Sequence, residues 1–250
     1  VKRHLCPLPI CTGCFLLPGV HTVDWTAKLD FSPTTIEHVK TEKTAKSCYG
    51  VSWTDDDRIL CAQDKQVEVR FGTNLKLDQV LFITGGEHVI SSAIGGEKLV
   101  TKIWSTEEKA YVTYCGTTER RTRRVLHSEE SEDQIKIIHL SVNEDYIASI
   151  DYVNKTLKVF SSTTEEHLFD IQLTDFESPY GVHLTADAVL VTDFHSNGKV
   201  SKYALTPSPD PLWTCTRLPK PSGITTDESG FIYVCNTSTP IINIISPAGK

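Results

Sequence analysis

The 250-residue chain contains no methionine, and no run of 18 apolar residues occurs anywhere in it. A bilayer-spanning helix needs about 20 such residues, so no membrane span is expected. The most apolar segment, residues 5–20, is interrupted by Pro7, Pro9, Gly13 and Pro18. It also lacks a helical period, which argues against a secretory signal peptide. Basic residues are in deficit, 25 against 32 acidic ones, for a formal charge of -7. A general nucleic-acid binder normally needs a basic face, so this balance disfavours that class. Also absent are a Ser-His-Asp order, a Gly-rich phosphate loop and His-Glu-x-x-His. No window sustains a 3.6-residue apolar period between helix caps, so helices are not expected. The lack of an initiator Met suggests a domain excised from a longer protein.

What is present is an ordinary globular composition, 39% apolar and 23% charged, long enough to bury a substantial core without staples. It also repeats. Residues 179–193 read PYGVHLTADAVLVTD and are followed by FHSNGKVSKY; residues 221–235 read PSGITTDESGFIYVC and are followed by NTSTPIINII. Each has a small-apolar start, a polar turn with Asp, a short apolar strand, a second turn and an alternating strand. The plan recurs more weakly around Val51, Ile90 and Ile138. With Val182 and Ile224 these residues are spaced by 39, 48, 44 and 42 positions. Such drift fits loops that vary around constant strands.

Each unit adds a fourth strand-like run, at residues 77–83, 121–127, 167–173 and 212–218, and a further run at 35–39 precedes the first Tyr49-Gly-Val. Period-2 alternation in Val67-Glu-Val-Arg-Phe and Leu157-Lys-Val-Phe marks half-buried strands. Four short antiparallel strands in about 40 to 45 residues is the size of one β-propeller blade. The expected fold is therefore an all-β, six-bladed β-propeller of four-stranded antiparallel blades, one domain over residues 1–250. Residues 1–47 would supply the first blade and ring closure, and 48–250 five further blades. The last repeat has no outer strand behind Ile245, so residues 1–8 would pair there and remove an exposed sheet edge.

The pattern Pro-x-Gly-Ile/Val, then Asp, an apolar strand, Asp or Asn, and Asn-x-Lys/Arg-Val resembles the NHL repeat. Residues 179–203 and 221–245 match it best, and 49–71 match in part. Lys199 keeps the basic position after the second turn, whereas Thr239 and Ile241 do not, and the unit at Ile90 lacks the turn Asp. Among owners of such repeats, the chain is similar to the carboxy-terminal propellers of tripartite-motif ubiquitin ligases. That resemblance implies a domain binding a protein partner or ubiquitination substrate. Relatives of the fold also bind RNA, or act as metal-dependent lyases or lactonases.

In such propellers the binding face carries the loops that enter each innermost strand and those joining the second and third strands. Here it offers Tyr49, Trp104, Tyr152, Tyr180, Phe194 and His195, among acids such as Glu107, Glu108, Glu129, Glu130, Asp175 and Glu177. Aromatics give large contact area at low entropy cost. They equally serve to cover blade interfaces, with the acids as a solvated rim. The one basic cluster, Arg120, Arg121, Arg123 and Arg124, falls in an outer strand or the loop before it. It could grip phosphates or an acidic partner, or it is a charged edge that discourages aggregation.

Cys6, Cys11 and Cys14 with His4 and His21 hold the ingredients of a zinc site but only one tight pair. Cys48, Cys61, Cys115, Cys215 and Cys235 sit at strand positions where a thiol acts as a small apolar filler. That reading favours a reducing, cytoplasmic setting over disulfides, although Asn154-Lys-Thr and Asn236-Thr-Ser are glycosylation sequons. An enzyme would start from Asp193, His195 and Asn197. Asp193, however, occupies a repeat position and reads as a turn residue bonding backbone amides, and His183 reads as a structural residue. The expectation is a non-catalytic recognition module without metal or cofactor.

Overall fold

The computed structural model describes residues 48–53, 58–63, 66–71, 77–83, 88–95, 98–105, 107–117, 123–130, 139–238 and 241–250. They form five antiparallel sheets, each meandering from its first strand to its last. Blade 1 holds β1 (Cys48–Trp53), β2 (Arg58–Gln63), β3 (Gln66–Phe71) and β4 (Leu77–Ile83). Blade 2 holds β5 (His88–Gly95), β6 (Lys98–Ser105), β7 (Ala110–Thr117) and β8 (Arg123–Glu130). Blade 3 holds β9 (Leu140–Val142), β10 (Tyr146–Asp151), β11 (Thr156–Ser161) and β12 (His167–Gln172). Blade 4 holds β13 (Pro179–Leu184), β14 (Ala188–Asp193), β15 (Gly198–Ala204) and β16 (Trp213–Leu218). Blade 5 has three strands, β17 (Pro221–Thr226), β18 (Ile232–Asn236) and β19 (Ile242–Ile245). Consecutive blades touch through their first strands, β1 on β5, β5 on β9, β9 on β13 and β13 on β17. That is the packing of a propeller.

The described residues thus form five blades where six were expected. The blade and the ring-closing strand assigned to residues 1–47 lie outside them, as do Cys6, Cys11, Cys14, His4 and His21.

Burial follows position in the blade. Second strands have a strand on each side and a neighbouring blade on each face, so β14 is buried at all six residues. Such strands read as continuous apolar runs. Outer strands β12 and β16 are mostly open to solvent. The third strand β11 keeps alternation, with Lys158 between buried Leu157 and Val159. Apolar clusters fill the seams: Leu60, Val67, Val89 and Ile103 between blades 1 and 2, and Leu190, Val200, Ile232 and Val234 between blades 4 and 5.

The Pro-x-Gly motif has a steric reason. The β13–β14 register slips between Pro179 and Val182, and the β17–β18 register slips likewise between Pro221 and Ile224. At Gly181 a Cβ would collide with the Ser222 carbonyl oxygen of the next blade. The Gly181 N–H instead donates to Thr192 Oγ1 at 2.8 Å, and that hydroxyl donates to the Ser222 carbonyl at 2.8 Å. The same register corrects one sequence alignment. Leu140, not Ile138, sits opposite the residue two before the end of its second strand, as Val182 and Ile224 do.

Candidate functional site

The loops entering first strands and those joining second to third strands share one face, and backbone hydrogen bonds link them across blades 3 to 5. Leu173 N–H donates to Lys155 O at 2.8 Å, Phe194 N–H to Ser178 O at 2.7 Å, Lys220 N–H to His195 O at 2.7 Å and Thr237 N–H to Lys220 O at 3.3 Å. Side chains add to this belt. Asp193 accepts from the amides of Glu177 at 3.0 Å and Ser178 at 2.6 Å, so it does act as a loop-fixing residue. Lys155 Nζ donates to Phe176 O at 2.9 Å. Lys199 Nζ pairs with Asp175 and lies 4.5 Å from the centre of the Phe176 ring. Ordering was completed on folding, so little remains to be lost when a partner binds.

At this face Tyr180 and Phe194 stack, with centroids 4.9 Å apart and planes at 24°. His139 meets Tyr180 edge-on at 5.1 Å. Its Nε2 is buried without a hydrogen-bond partner, and burial pushes its pKa down to about 4, so the ring is neutral at physiological pH. His183, the other low-pKa histidine, is held down to about 4 by burial and meets Thr226 Oγ1 of blade 5 at 3.1 Å. Burial raises the Tyr180 hydroxyl above its ordinary range. His195 Nε2 lies 3.0 Å from Glu177 Oε2, and both side chains are open to solvent.

The expected face residues divide. Phe194 and Tyr152 are half-buried and His195 is partly open, while Tyr180 is buried at 9% exposure beneath Phe194. Trp104 is a correction: at 6% exposure it packs on Tyr111 at 4.7 Å inside the core and presents no surface. Its strand β6 is buried at seven of eight positions, so residue type there could not separate core from face. Tyr49 lies at the β1 irregularity between Cys48 and Gly50. Arg123 and Arg124 begin the outer strand β8, with Arg124 exposed; Arg120 and Arg121 fall outside the described residues. Sequence reading overlooked Val153 (47% exposed) and Ile241 (53% exposed), which flank the second-to-third-strand turns of blades 3 and 5. Val153 lies one residue beyond the position Phe194 takes in blade 4, whereas Ile241 directly precedes β19, where blade 4 has Lys199.

A second cluster lies between blades 2 and 3. Lys102, Glu129 and Asp151 have side-chain exposures of 0%, 1% and 0%. Lys102 Nζ contacts Glu129 Oε1 and donates to the Ile150 carbonyl. His127 Nε2 lies 3.2 Å from Asp151 Oδ2. Ligand-type atoms of His127, Glu129 and Asp151 fall within 4.8 Å of one another. The donor types suit a divalent metal, but the Lys102 ammonium already stands against Glu129 as an internal cation. Burial alone would raise Asp151; hydrogen bonds from His127, Glu129 and Asn154 outweigh it and hold the carboxyl far below the usual range. Glu129 is raised by burial, against the opposing pull of Lys102.

Cys115 is buried and its thiol is pushed up to about 11, chiefly by burial. Cys235 departs from the filler reading, because it is disulfide-bonded.

No family model matches the chain, and no curated protein sequence does. Solved structures do. A chain of the mitotic checkpoint complex crystal structure superposes with a TM-score of 0.57 at 13% identity, covering 81% of this chain and 67% of that one. A protein of unknown function from Bacteroides caccae gives 0.59 at 12% identity, covering 83% and 81%. The computationally designed Ika8 protein gives 0.51 at 10% identity, covering 84% and 74%. At such identities the likeness shows a shared β-propeller fold and nothing about function. No helix among the described residues is long and apolar enough to cross a membrane.

Proposed function

We propose that this propeller is a non-catalytic protein-recognition module that holds its partner on the loop face of blades 3 to 5. The observation that carries this reading is the row of apolar side chains on three successive second-to-third-strand turns, Val153, Phe194 and Ile241. Val153 and Ile241 open to water and Phe194 half-open, on a face already rigidified by its own backbone hydrogen bonds, suit a preformed docking surface. Glu177 and His195 give that face a polar edge. The NHL resemblance supports a narrower role, capture of ubiquitination substrates for a tripartite-motif ligase. The Cys235 disulfide stands against the reducing setting such a ligase implies.

The test is selection of displayed peptides on the folded domain, followed by binding to a Val153→Ser, Phe194→Ala, Ile241→Ser variant whose fold is checked by circular dichroism. Loss of binding by the folded variant supports the reading, and unchanged binding removes it.

A further inference from the structure

Two acidic side chains meet, almost without water, in the seam between blades 2 and 3. Glu129 comes from β8 and Asp151 from the end of β10, with exposures of 1% and 0%. The charged and titratable groups facing them, among the described residues, come from every strand around the seam. β6 brings Lys102, and β7 brings Tyr111, whose ring centre is 5.6 Å from the Lys102 ammonium. β8 also brings His127. β11 brings Lys158, whose Nζ is 4.0 Å from Asp151 Oδ2 but 3.4 Å from Asp170 of β12. Lys158 is thus closer to Asp170, and Lys102 is the one fully buried cation against two buried carboxyls.

Carboxyl oxygens of the two lie within 4.8 Å of one another, and two like charges that close, shielded from water, repel strongly. A shared proton removes that repulsion, as in other close carboxyl pairs. The geometry says which partner holds it. Asp151 accepts from the Asn154 amide N–H at 2.9 Å and from Asn154 Nδ2 at 3.0 Å, contacts that favour its anion. Glu129 has no comparable amide donors among the described residues; its one cationic partner is Lys102, whose ammonium stands against Oε1 and is shared with the Ile150 carbonyl.

We propose that Glu129 and Asp151 hold a single proton between them in the folded protein at neutral pH, and that this proton locks the blade 2–3 seam together with the 152–155 turn that Asp151 anchors. The proton resides on Glu129 and is donated to Asp151; Asp151 then balances Lys102. Titration directions agree with the geometry. Glu129 is raised, so its share of stability is present below the unfolded value and lost as pH rises through the folded one. Asp151 is lowered, so its share is present above the unfolded value and lost as pH falls through the folded one. The lock therefore opens on the alkaline side through Glu129. Because the turn carries Tyr152 and Val153, opening would loosen one edge of the recognition face, a consequence that rests on the function proposed above.

The test is hydrogen exchange of the whole chain from about pH 6 to about pH 9, corrected for intrinsic rates. Protection of segments in 146–161 should fall with rising pH, by at most about tenfold per pH unit, the slope of one proton. Segments in 188–204 should not follow. Glu129→Gln, which donates the same hydrogen bond without titrating, should abolish the dependence. A wild-type profile without pH dependence overturns the proposal, as does dependence that persists in Glu129→Gln. So does loss of the dependence in His127→Asn alone, which would make His127 the proton carrier. Protection raised by zinc chloride added to chelator-treated protein would make the cation a metal and likewise overturn it. Infrared spectroscopy of the wild type decides the matter without a variant: a neutral carboxylic acid stretch at neutral pH is required, and its absence contradicts the proposal. None of these readouts uses a partner, so their failure leaves the recognition reading untouched.

Discussion

The ring of Phe194 lies over that of Tyr180, 4.9 Å between centroids, so each covers one face of the other. The arrangement separates anchor from support: Tyr180 is buried, and Phe194 remains half-open above it. Stability and recognition should therefore respond to different residues. Trp104→Ala, in the core, should cost about 3 to 5 kcal/mol in urea unfolding. Val153→Ser and Ile241→Ser, both at exposed positions, should each stay within about 0.5 kcal/mol of the wild type. A large loss from either exposed site would show that these side chains belong to the core.

Gly181 should tolerate no side chain. A Cβ there meets the Ser222 carbonyl and Thr192 Oγ1, and relief requires moving the backbone of blade 5. Gly181→Ala should destabilise by about 3 kcal/mol, at the upper end of overpacking costs. Thr192→Val, which breaks the relay between Gly181 and Ser222, should cost about 1 to 3 kcal/mol by leaving a buried amide unpaired. Equilibrium denaturation measures both.

Much of this architecture was legible from the residues. The outer run at 77–83 coincides with β4, and the paired motifs at 179 and 221 are the register slips that bring blades 4 and 5 together. Asp193 was readable as a loop-fixing residue because the repeat placed it at a strand end. Trp104 was not readable as core, since a second strand buried on both faces shows no alternation to say which way a side chain points. The Lys102–Glu129–Asp151 cluster was hidden for another reason. Its members come from three strands in two blades, and only folding brings them together. One trace existed: Lys102 is a lone charge in the otherwise uncharged middle of β6.

Acid should weaken the fold through two histidines. His139 and His183 titrate near 4 when folded and near 6.5 otherwise. The unfolded chain binds more protons between those values, so stability falls as pH drops from about 6.5 towards about 4. Each histidine should contribute up to about tenfold in the folding constant per pH unit. Denaturant midpoints across this range measure the effect, and His183→Asn should reduce the slope. An unchanged slope in that variant would assign the acid lability elsewhere.

The disulfide at Cys235 has a chemical signature. Alkylation of the denatured, unreduced protein should leave Cys235 unmodified while Cys115 and Cys215 react. Reduction first should then label all three. Labelling of Cys235 without reduction would restore the reading of that residue as a buried filler thiol.

The central claim is that recognition uses the loop face of blades 3 to 5, and the most direct measurement is the affinity of selected peptide binders for two folded proteins, the wild type and the Val153→Ser, Phe194→Ala, Ile241→Ser variant. The account predicts a loss of about tenfold or more, at least about 1.4 kcal/mol. Equal affinity for both proteins would contradict it.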